Sequence, residues 1–168
     1  MEPNRQENNI NYSALGLAGL GGWLILVQIG LYITIISLLV QLVQYSLPSL
    51  DPGVWLQLTS KDSEIFHPLW STIIIFEVVW NVSLLIFCCF SLINLYLKKS
   101  IFPKLMIILY GSSLLVGIVD AALLAQIPLV QELEDGSTIT DIIRSAITCA
   151  IWIPYFIKSQ RVANTFVK

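Results

Sequence analysis

Five polar residues lie inside long apolar stretches of the sequence, where their side chains could do chemistry. Two are acids, Glu77 and Asp120, one is a base, Arg144, and two are amides, Gln41 and Asn81. Ionisable groups in such surroundings pair with one another, bind ions or carry protons, because an isolated charge in hydrocarbon is costly. The sequence therefore predicts an ion pair between Arg144 and either Asp120 or Glu77, with Asn81 and Gln41 adding hydrogen bonds.

Two acids against one base leave one carboxylate without a counterion. That carboxylate could be protonated by burial, bind a cation or a proton, or reach water. A structural role, in which the polar residues hold helices in register, is the alternative to ligand binding, because structural networks imitate functional carboxylates. A third interpretation is that these side chains extend to the lipid headgroups.

The composition excludes a soluble globular domain. Of 168 residues, 56% are hydrophobic and 12% are charged, whereas soluble domains carry about 25% charged residues. The formal charge of −2 and the lack of a basic stripe argue against a nucleic-acid partner. Three cysteines, Cys88, Cys89 and Cys149, and a single histidine, His67, show no spacing typical of disulfides or metal sites. We expect no cofactor, no bound metal and no enzymatic activity.

Four apolar stretches are long enough to cross a bilayer, which takes about 20 helical residues. They cover about residues 23–45, 70–97, 104–126 and 140–157. Since lipid offers the backbone no hydrogen-bond partner, and the stretches lack the alternation of barrel strands, each is expected to be a helix. The sequence predicts an all-α integral membrane four-helix bundle, one domain over residues 12–168, after a disordered tail over residues 1–11.

Lys and Arg residues in short loops indicate the cytoplasmic side of a membrane protein. Of the nine in this chain, Lys61 and Arg144 lie on one side and seven lie on the other. The seven are Arg5, Lys98, Lys99, Lys104, Lys158, Arg161 and Lys168. Both termini are therefore expected to be cytoplasmic.

A second group of residues marks the expected cytoplasmic boundary. It consists of Gly21, Gly22 and Trp23 at the start of the first helix, and of Pro154, Tyr155 and Arg161 around the end of the fourth. Pro154 should kink or loosen the last helix, because proline removes a backbone donor. The basic tail after this point is positioned to meet anionic lipid. Docking of Arg161 onto the Gly-Gly turn, or onto helix-end carbonyls, is the alternative.

Small residues recur at every fourth position of the third apolar stretch and, more briefly, of the fourth. They are Ser113, Gly117, Ala121 and Ala125 in the third, and Ala146 and Ala150 in the fourth. Small side chains let helices approach closely in lipid. The third and fourth helices are therefore expected to pack together, with homodimerisation through the same stripe as the alternative.

The loop after the first apolar stretch contains a signal for a short helix. Asp51 can serve as the N-cap, and Pro52 suits the first helical position. An irregular loop with an anchoring Trp55 is the alternative.

Three blocks of sequence resemble the bacterial membrane proteins grouped as domain of unknown function 2569. The blocks are GLGGWLILVQIGL at 19–31, FHPLW at 66–70 with Phe76, Glu77 and Asn81 after it, and IWIPYFIKSQRVANTFV at 151–167. The resemblance implies a four-helix protein of the bacterial inner membrane, with Glu77, Asp120 and Arg144 among the family's polar positions. It implies no reaction.

Two functions compete on these observations. The first is a non-catalytic interaction or accessory protein, whose partners are the bilayer and another membrane protein or a second copy, and whose polar cluster organises the bundle. The second is a small transporter or channel subunit that binds a proton, cation or small polar solute in an outward-facing pocket. A closed, dry Arg144 ion pair would favour the first function, and a funnel that exposes Glu77 would favour the second.

Overall fold

The computed structural model describes residues 18–168, so the predicted disordered tail at residues 1–11 lies outside the described residues. Four helices are long and apolar enough to cross a membrane, and the described chain contains no strand. They span Trp23–Ser49, Leu69–Tyr96, Phe102–Leu124 and Ser137–Lys158. The prediction of an all-α, multi-pass membrane protein is confirmed.

The first spanning helix is longer than the sequence indicates. It comprises α1 (Trp23–Gln41), a π-helical turn (Leu42–Ser46) and α2 (Leu47–Ser49). The chain then folds into α3 (Pro52–Thr59), where the Asp51 carboxylate accepts a hydrogen bond from the Gly53 backbone N–H at 2.9 Å. This cap confirms the short helix predicted from Asp51 and Pro52.

The other spanning helices are α4 (Leu69–Tyr96), α5 (Phe102–Leu124) and α7 (Ser137–Lys158). Two short helices complete the chain, α6 (Pro128–Leu133) before α7 and α8 (Gln160–Thr165) after it. α4 has 28 residues and is about 42 Å long at about 1.5 Å per residue. It is therefore longer than a hydrocarbon core of about 30 Å is thick. The helix can accommodate the extra length by tilting or by extending into the interface.

The two ends of the bundle differ in charge. We call residues 18–23, 97–104 and 156–168 the basic end, because they contain all the described basic side chains except Lys61 and Arg144. The opposite end, formed by residues 46–69 and 127–139, contains six acids and one lysine, and we call it the acidic end.

The basic end is closed by a packed core. Phe102 is fully buried, and its ring centroid lies 5.9 Å from that of Phe156 and 4.7 Å from that of Phe166. The C-terminal residues also fold back under the bundle, where the Ser100 backbone N–H donates to the Lys168 carbonyl at 2.7 Å. Aromatic packing and main-chain contacts together seal this end.

α5 and α7 are packed more loosely toward the acidic end. In α5 the buried residues are Phe102, Leu105, Met106 and Leu109, all within its first eight positions, and in α7 they are Cys149 and Phe156. α5 packs most extensively on α7 and also packs on α4, while α1 packs on α4. Cavities lie where α5 and α7 bury few side chains, whereas α4 buries residues at both of its ends.

Two acids before α7 cap its first turn. The Glu134 carboxylate accepts hydrogen bonds from the Gly136 and Thr138 backbone N–H groups at 3.0 and 3.2 Å and from the Thr138 hydroxyl at 2.7 Å. The Asp135 carboxylate accepts from the Ser137 backbone N–H at 3.0 Å. These bonds satisfy backbone donors that have no partner within the helix.

Substitution of Gly22 by alanine should destabilise the protein. Gly22 has a φ of +62° and a ψ of −136°, a sparsely populated conformation that costs a residue with a Cβ about 1–3 kcal/mol. Gly30→Ala is the matched control. Gly30 lies inside α1, and a Cβ added there meets no atom within 4 Å, so alanine should stabilise the protein by about 0.5–1 kcal/mol. Thermal unfolding in detergent measures both, and a Gly22→Ala variant as stable as wild type would contradict this backbone requirement.

The cap of α7 should weaken in acid. The hydrogen bonds from Thr138 hold the pKa of Glu134 below its usual range, so the cap is fully present above the unfolded-state pKa and is lost as the pH falls through the lower folded value. The Thr138 amide resonance, followed by NMR, should shift in that interval in wild type and in the control Glu132→Gln. A Glu134→Gln variant that shows the same shift would rule out this cap as its cause.

Candidate functional site

Four polar residues form the site. Two of them, Glu77 and Asn81, come from α4, one comes from α5 and one from α1. Glu77 and Asn81 are four residues apart on α4 and so lie on the same face. Asp120 lies near the end of α5, and Gln41 ends α1 next to the π-helical turn. All four line one cavity of about 230 Å³, which we call the carboxylate cavity.

A glycine of α5 helps to make room for this cavity. Gly117 lies on its wall, one turn before Asp120, and a Cβ placed there would meet no atom within 4 Å. Phe76 and Trp80 of α4 also line the cavity. The wall therefore combines two carboxylates, two amides and two aromatic rings around an open space.

The polar groups of the carboxylate cavity are not engaged by the described part of the chain. The side chains of Glu77 and Asn81 make no hydrogen bond to it, although Asn81 is only 6% exposed. One carboxylate oxygen of Asp120, Oδ1, is fully buried and likewise has no protein partner. Burying a polar group without a partner costs free energy, and the described chain leaves Asp120 Oδ1 unsatisfied. Glu77 and Asn81 line the cavity without a hydrogen bond to the described chain.

The electrostatics of the cavity favour positive charge. Glu77 and Asp120 line the same cavity, and the residues that line it include no Lys, Arg or His. Like charges at short range repel, and a cation or a shared proton relieves that repulsion. The arrangement can therefore hold a cation or a proton.

The predicted ion pair between Arg144 and either Asp120 or Glu77 is wrong. Arg144 instead pairs with Asp141, one turn earlier on α7, at 2.8 Å, and both side chains are largely exposed, at 74% and 69%. Arg144 lines a separate cavity of about 230 Å³ with Thr34, Tyr110 and Ser113. α5 packs on both α4 and α7 and thus separates Glu77 from Arg144.

A third cavity adjoins the first two along the contact between α5 and α7. This space, of about 190 Å³, is lined by Gly117 and Asp120 together with Thr138, Asp141 and Ser145, and we call it the seam cavity. It shares Gly117 and Asp120 with the carboxylate cavity and Ser145 with the Arg144 cavity. Asp120 therefore lines two adjoining spaces.

The expected packing of α5 on α7 is confirmed, since these two helices make the most extensive contact in the described chain. The small residues of α5, Ser113, Gly117, Ala121 and Ala125, also line cavities, so part of the space beside them stays open. The polar residues of α7 that line the seam cavity were not singled out from the sequence, although Asp141, three residues before Arg144, was a visible ion-pair partner.

The second predicted group assembles at the basic end. The Arg161 guanidinium lies against the Gly-Gly turn, since a Cβ at Gly21 or Gly22 would lie 3.3 or 3.4 Å from it. The ring centroids of Trp23 and Trp152 are 6.1 Å apart, and the Gly19 backbone N–H donates to the Thr165 hydroxyl at 2.9 Å. Docking of Arg161 onto the Gly-Gly turn is thus the arrangement present.

Pro154 and Tyr155, the remaining members of that group, lie inside α7. The helix continues past Pro154 to Lys158, and the Tyr155 ring contacts Trp152 at a centroid distance of 5.6 Å and Phe156 at 5.5 Å. These aromatic contacts join the end of α7 to the core of the basic end.

Comparison with known proteins gives a family and no activity. A family model described as "Protein of unknown function (DUF2569)" matches residues 17–167, nearly the whole chain. No curated protein and no solved structure matches the chain.

Removal of the Arg144 charge should have little effect on stability. Since the Arg144–Asp141 pair is exposed and lies within one helix, we expect Arg144→Gln to change the free energy of unfolding by less than about 1 kcal/mol. Thermal unfolding in detergent measures the change. A loss of about 3–5 kcal/mol, the cost of leaving a buried charge unpaired, would instead indicate that Arg144 pairs with Asp120 or Glu77.

Proposed function

The chain belongs to the DUF2569 family of proteins of unknown function, and because that membership assigns no activity, we propose a function from the geometry. The protein is a non-catalytic, solute-binding membrane protein that takes up a small cation or protonated polar solute in the carboxylate cavity. This binding is the outward-facing step of a small transporter or channel subunit. We place it in the inner membrane of a bacterium.

One observation carries the proposal, namely the meeting of Glu77, Asn81 and Asp120 in a cavity where the described chain offers these groups no hydrogen bond. In a bilayer, water cannot serve as a partner outside a wet cavity. A bound cation would satisfy both carboxylates, and the Asn81 amide oxygen could accept a hydrogen bond from it. The nearby Phe76 and Trp80 rings favour an organic cation, because aromatic faces attract positive charge.

The direction of access follows from the packing of the two ends. The aromatic core around Phe102 blocks the basic end, while the carboxylate cavity lies in the loosely packed acidic half. The uneven distribution of Lys and Arg supports a cytoplasmic position for the basic end. The cavity would then be reached from outside the cell.

The competing accessory role has less support. It requires the polar side chains to hold the helices in register through bonds with one another. Within residues 18–168, Glu77, Asn81 and Asp120 form no such bonds across helices, and Arg144 pairs within its own helix. Homodimerisation and anionic lipid at the basic end stay predictions that are compatible with solute binding.

Small organic cations should bind wild-type protein saturably. Titration calorimetry of protein in phosphatidylcholine nanodiscs, with guanidinium and tetramethylammonium as the probes, measures the affinity. Because a hydrogen bond or ion pair to a charged group contributes about 1.5–3 kcal/mol, Glu77→Gln or Asp120→Asn should each weaken guanidinium binding about tenfold or more.

Glu132→Gln is the matched control, since Glu132 is an exposed acid of α6 outside the cavities. It should bind both probes with wild-type affinity. Wild-type affinity in the Glu77→Gln/Asp120→Asn double variant, or failure of both cations to bind wild type, would overturn the proposed function.

A further inference from the structure

An apolar groove lies beside the seam cavity at the acidic end. It has a volume of about 310 Å³ and is lined by α5, α6 and α7, with Ala121, Ala125, Val130, Ile139 and Ile142 among its walls. We call it the apolar groove.

The apolar groove adjoins the space beside Asp120. It shares Ala121, Leu124, Thr138 and Ile142 with the seam cavity, and the seam cavity shares Asp120 with the carboxylate cavity. An elongated molecule can therefore occupy the groove at one end and reach Asp120 at the other.

The polar side chains of the groove, unlike those of the carboxylate cavity, already have partners. The Gln131 amide donates to the Ala125 carbonyl, and Glu134 accepts from Gly136 and Thr138. The groove therefore presents mainly hydrocarbon to a ligand, whereas the carboxylate cavity presents unengaged charge. Apolar pockets with a few convergent polar groups are typical of small-molecule sites.

We infer that the ligand of this protein is an amphiphilic cation, an amine with a single alkyl chain, which enters from the bilayer between α5 and α7. The ammonium group lies at Asp120 and Glu77, and the chain lies in the apolar groove. This inference rests on the proposed function and specifies the class of ligand that the carboxylate cavity takes.

Charge distinguishes this occupant from the alternatives. The phosphate of an ordinary phospholipid would be repelled by Glu77 and Asp120, which have no basic side chain beside them in the carboxylate cavity. A hydrophobic helix from a second copy would fill the groove but leave Asp120 and Asn81 without a partner. An amine with an alkyl chain satisfies both regions at once.

Photolabelling can test where the chain lies. The probe is dodecylamine with a diazirine at the chain terminus, added to protein in phosphatidylcholine nanodiscs, and dodecanol with the same diazirine is the headgroup control. We expect the amine to label residues 121–142 at least tenfold more strongly than the alcohol does, and Asp120→Asn to abolish that difference.

Two tryptophan variants separate the groove from the carboxylates. Ala125→Trp fills the groove, and Ala122→Trp is the matched control, because Ala122 is an exposed residue of α5 that lines none of the cavities described above. Ala125→Trp should lower amine labelling at least tenfold and leave guanidinium binding unchanged, while Ala122→Trp should change neither.

The outcomes distinguish failure of this inference from failure of the proposed function. Equal labelling by amine and alcohol over all lipid-facing surfaces, unchanged labelling in Ala125→Trp, or photocrosslinking that reports a second copy in the groove would overturn the inference. If the inference failed in this way but guanidinium or tetramethylammonium still bound saturably to the wild-type protein, the proposed function would stand. If neither cation bound wild type, both would fall.

Discussion

The structure depends on one constraint, which is that hydrocarbon offers no hydrogen-bond partner to a polar group. The backbone satisfies its hydrogen bonds within helices, and most side chains of α1, α4, α5 and α7 are apolar and need no partner. Glu77, Asn81 and Asp120 do not meet this constraint through the protein, because they gather around a cavity without bonding to one another. Their position inside the bundle, rather than on its lipid-facing surface, is the arrangement in which a ligand or water can supply what the protein does not.

The difference between the two ends makes this cavity one-sided. Large rings such as Phe102, Phe156 and Phe166 fill the basic end, and the chain after α7 folds back onto it. In the acidic half, small residues such as Gly117 and Ala121 occupy the positions where α5 faces its neighbours, so the space between helices remains open. The cavities therefore lie away from the aromatic core of the basic end because of where the large and small residues lie along the same helices.

The sequence predicts the spanning helices, because a long apolar run has one stable structure in lipid. The i, i+4 spacing of Glu77 and Asn81 also places them on one face of their helix. The partner of Arg144 was not predictable from the sequence, because position along a helix does not tell which way a side chain points around it. The i+4 stripe of small residues correctly indicated that α5 packs on α7, but it does not reveal the cavities that Gly117 and Ala121 also line.

The location of Arg144 supports the proposed binding role of the acids over a structural one. Had Arg144 met Asp120, the cluster would have carried one excess negative charge and one internal ion pair, which is how buried charges hold helices together. Because Arg144 is paired with Asp141 at the surface, the charge of Glu77 and Asp120 is balanced by no basic side chain among the residues that line their cavity. An acidic cavity whose lining includes no basic side chain, with the seam cavity and then an apolar groove beside it, supports the proposed ligand, which carries both a positive charge and a hydrocarbon chain.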